Sequence, residues 1–83
     1  MTQIARTPKQ IGSALRRQRR QLGLNQTALG AKTKLRQATV SAVEAGEPRA
    51  QLATLCAMMA ALDLEFVIRP RTKGAVDEIE DIF

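Results

Sequence analysis

At 83 residues the chain is the size of one small domain, which buries only about 60% of its unfolded surface and would gain stability from an added dimer interface. A hydrophobic fraction of 45% with only two aromatics, Phe66 and Phe83, predicts an aliphatic core, while a single cysteine, Cys56, and no histidine exclude an internal disulfide, a zinc finger and imidazole acid–base chemistry. Four of the eight acids are Asp77, Glu78, Glu80 and Asp81, so residues 1–76 hold the other four against all 13 cations, a balance of +9 that favours a polyanionic partner such as duplex DNA.

Residues 1–6 read as a flexible N-terminus. Thr7 then offers an N-cap, Pro8 suits the first helical position, and Gln10, three residues after Thr7, completes a capping box. Ile11, Ala14, Leu15 and Leu22 mark the inner face of this first helix, with Lys9, Arg16, Arg17 and Arg20 pointing elsewhere and Gly23 ending it. Asn25 caps a short second helix over Gln26–Thr33, which ends near Lys34 and Leu35. A third helix runs from about Arg36 to Ala45, with Val40, Val43 and the Thr39 methyl inside, stopped by Gly46 as a left-handed residue and by Pro48 two positions later. Helix four, from about Gln51 to Leu62, carries an expected core stripe of Leu52, Leu55, Cys56, Met59 and Leu62, with Met58 and Met59 as packing residues.

The periodicity changes at Leu64. Leu64, Phe66 and Ile68 alternate with Glu65, Val67 and Arg69 until Pro70 stops the run, which predicts one β-strand over 64–69. A lone strand leaves a row of unpaired backbone groups that the same strand of a second copy would satisfy, so Leu64, Phe66, Val67 and Ile68 are the expected dimerisation residues of a homodimer. Residues 7–69 then form the domain, and 70–83 a flexible basic linker and an acidic tail, DEIEDIF. Within that tail Ile79, Ile82 and Phe83 are apolar at a spacing suited to a groove on a partner protein, although folding back onto the basic surface fits the tail's four acids equally well.

No nucleophile–base set and no paired carboxylates outside the tail are present, so no enzymatic activity, cofactor, metal ion or small-molecule substrate is expected. The first residues lack the apolar core of a signal peptide, and no apolar run approaches the roughly 20 residues that span a bilayer, so the expected location is the cytoplasm, away from membranes.

What remains is the order of the helices: two short ones joined by a tight turn and flanked by longer ones, the arrangement of a helix-turn-helix. Residues 24–46, LNQTALGAKTKLRQATVSAVEAG, place Gly30 mid-way through helix two, where close approach of the crossing helix is expected. Helix three opens with Arg36, Gln37, Ala38 and Ser41, donors, acceptors and a methyl suited to base edges in the major groove, and it holds Glu44 opposite a basic helix one. The fold expected is all-α, four to five helices, with the one strand pairing across a dimer.

Over residues 11–64 the sequence resembles the Cro/phage-repressor (Xre) class of helix-turn-helix domains, and over nearly its whole length it is similar to the HipB-type antitoxins of type II toxin–antitoxin operons. The residues that carry this are QIGSALRRQRRQLGLNQ at 10–26, RQATVSAVEAG at 36–46 and ALDLEFVIRPR at 61–71. The resemblance implies a repressor of its own operon at the bacterial nucleoid that also binds a HipA-like serine/threonine kinase toxin. A free-standing Xre-type regulator without a toxin, and an interaction adaptor, stay open as alternatives.

It also implies roles. Gln26 matches a phosphate-contacting position, Gln37 and Ala38 match base-reading positions, and Thr39, Ser41 and Ala42 lie beside them; Arg16 joins this DNA-binding set. Arg19 and Glu44 match a partly buried structural ion pair. Two positions depart from the family pattern: Lys34 stands where a turn glycine is usual and Arg36 where a capping serine is usual, leaving Arg36 either beside the groove or simply solvated.

Overall fold

The computed structural model describes residues 3–71, which form four helices in the order α1 (Pro8–Gln21), α2 (Gln26–Thr33), α3 (Gln37–Glu44) and α4 (Leu52–Ala61). Each start is set locally. Thr7 accepts from the Gln10 N–H at 3.1 Å, with Pro8 at the first helical position, and Asn25 Oδ1 accepts from the Ala28 N–H at 2.7 Å. The other half of the α1 box is displaced by one residue: Gln10 Oε1 accepts from the Arg6 N–H rather than that of Thr7.

All four helices end on a residue of positive φ: Gly23 (72°), Lys34 (61°), Gly46 (94°) and Asp63 (59°). After α3 the Gly46 N–H returns to Val43 O and the Glu47 N–H to Ala42 O, each at 3.0 Å, which is the Schellman arrangement that satisfies the last carbonyls. After α4 the same pair forms from Asp63 to Ala60 and from Leu64 to Met59. Aspartate tolerates the left-handed region better than most residues do, and the bend it makes folds Leu64 back onto the core.

The core is aliphatic, as composition requires: Leu15, Leu29, Val40, Val43, Met58, Met59 and Leu62 are buried, with Ile11, Leu24, Leu35, Leu55 and Leu64 packed against them. α2 and α3 pack together, α1 lies against α3, and α2 against α4. The α1–α3 approach is close enough to require a residue without a side chain, since a Cβ on Gly12 would sit 2.4 Å from Val43 O and 2.6 Å from Glu44 O.

Two expectations are corrected. Leu22 follows the last residue of α1 and is exposed rather than inward. On α4, Leu52 and Cys56 are exposed, whereas Leu55, Met59 and Leu62 of the expected stripe pack inward and Met58 is buried as a packing residue. LATLCAMMAA is apolar on nearly every side, so spacing alone does not exclude Leu52 and Cys56 from its inner face. Residues 64–71 form no strand among the described residues. A strand is defined by ladder hydrogen bonds to a neighbour, and every other element described is a helix that uses its backbone groups internally. The tail with Ile79, Ile82 and Phe83 lies outside the described residues.

Among the described residues no helix is long and apolar enough to cross a membrane, and no group of acidic or cysteine side chains is placed to hold a metal ion.

Candidate nucleic-acid interface

The α2–turn–α3 unit is shaped by three residues. Lys34 adopts the left-handed conformation (φ 61°, ψ 28°), at a cost of about 1–2 kcal/mol for a non-glycine residue. Gly30 makes room for the turn: a Cβ there would meet the Leu35 carbonyl at 2.7 Å, so the expected close approach comes from the turn backbone and not from a crossing helix. Arg36 precedes α3 in an extended conformation (φ −72°, ψ 146°) and makes no side-chain cap, so the first N–H groups of α3 point outward without a side-chain acceptor. Amides so presented, at the positive end of a helix, suit an anionic ligand.

On that end of α3, Arg36, Gln37 and Ala38 are exposed, as is Ala42 one turn on, while Thr39 and Ser41 are half-buried. Arg16, exposed on α1, is separate from this helix. Gln26 is half-buried at the first position of α2.

Behind them lies a continuous polar network. Arg19 and Glu44, both buried, pair through two parallel bonds, Nε to Oε2 at 2.7 Å and Nη2 to Oε1 at 2.9 Å, while Arg19 Nη1 donates to Leu24 O at 2.7 Å. The Glu44 hydrogen bond raises the Arg19 pKa, outweighing burial, which acts in the opposite sense. Glu44 Oε1 also accepts from Gln26 Nε2 at 3.2 Å, and Gln26 Oε1 accepts from Gln37 Nε2 at 2.7 Å. The chain of bonds thus joins α1 to the exposed start of α3 through α2, with no buried polar side-chain atom left unpartnered among the described residues.

Gln26 and Gln37, expected in separate roles, one for phosphate and one for bases, bond to each other. Gln18, which carries no signal in the sequence, donates through Nε2 to the Leu62 carbonyl at 3.0 Å and ties α1 to the end of α4. Neither bond has a local signal, since the partners are 11 and 44 residues apart.

A family model described as helix-turn-helix matches residues 15–68. No curated protein matches the chain in sequence. Among solved structures, a HipB–O2 20mer complex is similar at 26% identity and a TM-score of 0.81, covering 87% of this chain and 100% of that one. A HipB–O4 20mer complex is similar at 27% identity and a TM-score of 0.80, covering 86% and 100%. A HipA–HipB–O2–O3 complex is similar at 27% identity and a TM-score of 0.79, with the same coverage.

Proposed function

The chain belongs to the helix-turn-helix family, and from that premise we propose that it is a sequence-specific DNA-binding antitoxin that represses its own toxin–antitoxin operon and binds a HipA-like serine/threonine kinase toxin. The carrying observation is the exposed start of α3, where Gln37 and Ala38 stand clear of the domain on a base fixed by the Arg19–Glu44 pair. Glutamine can bond bidentately to adenine, and the Ala38 methyl can pack on thymine. Arg36, Thr39, Ser41 and Ala42 complete the groove surface, Gln26 and its backbone N–H meet a phosphate, and Arg16 adds a backbone contact from α1. The similarity over the full length of HipB chains, one of them in a complex with HipA, supports the kinase partner.

The protein acts as a homodimer in which residues 64–69 of two copies pair as strands, placing two α3 helices about 34 Å apart on successive major grooves. Phe66, Val67 and Ile68 are exposed in the single chain, which leaves them available for that pairing. The segment bearing Ile79, Ile82 and Phe83 anchors on the kinase.

The test is a titration, by calorimetry, of the full chain with a duplex carrying the DNA upstream of its own gene, with a scrambled duplex, and with the kinase-like protein encoded beside it. Preference for the upstream duplex by about 1000-fold or more, together with kinase binding, is the expected result. Equal affinity for both duplexes would overturn the repressor reading, and absence of kinase binding would reduce it to a free-standing regulator.

A further inference from the structure

Ser13, Arg16, Arg17, Arg20 and Gln21 line an open groove of about 480 Å³ on the outer side of α1. Their spacing of three and four residues puts them on one face, opposite Leu15 and Arg19, which are buried. All three arginines are exposed, and none makes an ion pair or hydrogen bond through its guanidinium among the described residues. Arg16 and Arg20 are like charges one turn apart, an arrangement that disfavours the bare helix and is relieved by an anion. Of the nearby acids, Glu44 is already committed to Arg19.

We propose that this face of α1 receives the protein's own acidic segment, Asp77–Asp81, which thereby competes with DNA phosphates for the domain's cations. Charge complementarity identifies the occupant: half of all the acids in the chain lie in that segment, at positions 77, 78, 80 and 81, against arginines at 16, 17 and 20. The path of the chain fits. Gln18 holds the Leu62 carbonyl at 3.0 Å, so the polypeptide leaves α4 directly against α1, one residue along from Arg17. Beyond Leu64, which is fixed on the core, Asp77 follows thirteen residues later, a length that spans up to about 45 Å when extended. Attraction of this kind between exposed groups is screened by salt. In the free protein the acidic segment occupies the groove; a polyanion or a partner protein that takes either side releases the other.

The full chain and a variant in which the segment is neutralised (Asp77→Asn, Glu78→Gln, Glu80→Gln, Asp81→Asn) are compared by NMR, without DNA. Salt is set at about 0.01 M, where the Debye length is about 30 Å, and at about 1 M, where it is about 3 Å. The expected result is a difference at low salt confined to Ser13–Gln21 and the Arg16, Arg17 and Arg20 side chains, which vanishes at high salt. Arg17→Gln/Arg20→Gln in the otherwise unaltered chain should shift residues 77–81 in turn. The neutralised variant should bind a random-sequence duplex at least about threefold more tightly than the full chain, a gain that the Arg17→Gln/Arg20→Gln background reduces. No difference on α1, or a difference centred on Lys34, Arg36 and Gln37, overturns the proposal. Because the spectra are read without DNA or kinase, that failure is separable from failure of the repressor reading.

Discussion

Gln37 donates through Nε2 to Gln26 Oε1 at 2.7 Å, so the first residue of α3 is held by the first residue of α2. A glutamine that reads a base edge must present its amide in one plane, and an exposed glutamine loses side-chain entropy to do so. The bond to Gln26, itself anchored on Glu44 at 3.2 Å, pre-sets that plane. Gln37→Ala is therefore expected to weaken operator binding by about 1–3 kcal/mol with little change on random duplex. If Gln26 meets a phosphate, Gln26→Ala should weaken both duplexes and, in addition, lower their ratio. A double-mutant cycle on the two glutamines should show a coupling of about 0.5 kcal/mol or more; additive losses would mean that Gln26 does not orient Gln37.

The Arg19–Glu44 pair sets a second expectation, on stability. Removing one partner of a buried pair strands the other charge and costs about 3–5 kcal/mol, a large share of the roughly 5–15 kcal/mol typical of whole domains. Arg19→Met and Glu44→Leu should each shift urea midpoints strongly downward, while the double variant recovers much of the loss, because apolar groups of similar volume tolerate the site. The Arg19 pKa is raised on folding, so its share of stability is complete below its ordinary pKa and is lost only as pH rises through the raised value, in strong alkali. Titration of Arg19 should thus leave urea midpoints unchanged between about pH 5 and 9. Single variants as stable as the parent would show that the pair does not hold α1 to α3.

Much of this was legible because short-range chemistry carries it. Thr7, Asn25 and Gly46 act where their side chains, or the lack of one, satisfy or free a helix end within a few residues. The Arg19–Glu44 pair came from resemblance to a family, and the geometry agrees. The inner face of α4 was legible only in part: Leu55, Met59 and Leu62 pack inward as expected, but a helix apolar all round offers little contrast, and Leu52 and Cys56 turn outward. Nor was Gly12, where the demand for glycine comes from carbonyls of Val43 and Glu44 more than thirty residues away. Asp63 closes α4 in the left-handed region without the glycine that would mark such a position in the sequence.

Lys34 offers a separate measurement, since it keeps a left-handed turn without glycine. Lys34→Gly should raise stability by about 0.5–1 kcal/mol, seen as a higher melting temperature. It also removes an exposed cation next to α3. If Lys34 meets a phosphate, the slope of log affinity against log salt should become shallower by about 0.9. A more stable variant with an unchanged slope would place Lys34 away from the DNA backbone, leaving its conformation as a cost with no compensating contact.

The final expectation concerns Val67. In the single chain Val67 is 69% exposed and Ile68 98% exposed, beside a half-exposed Phe66, an apolar run that a small domain seldom leaves in water without use. Leu64 at its start is packed on the core, its N–H bonded to Met59 O, so the run leaves the domain from a fixed point. Pairing with the same segment of a second copy would satisfy its backbone groups and cover the apolar side chains together. Proline at 67 removes one N–H from such a ladder and constrains the residue before it, while the helical core is untouched. Val67→Pro is therefore expected to retain the helical circular-dichroism spectrum, to sediment as a monomer and to bind the full operator no more tightly than a half-site, because the second α3 is no longer tethered. If the variant still sediments as a dimer, residues 64–69 are not the interface, and the exposed Leu52 and Cys56 on α4 become the next surface to substitute.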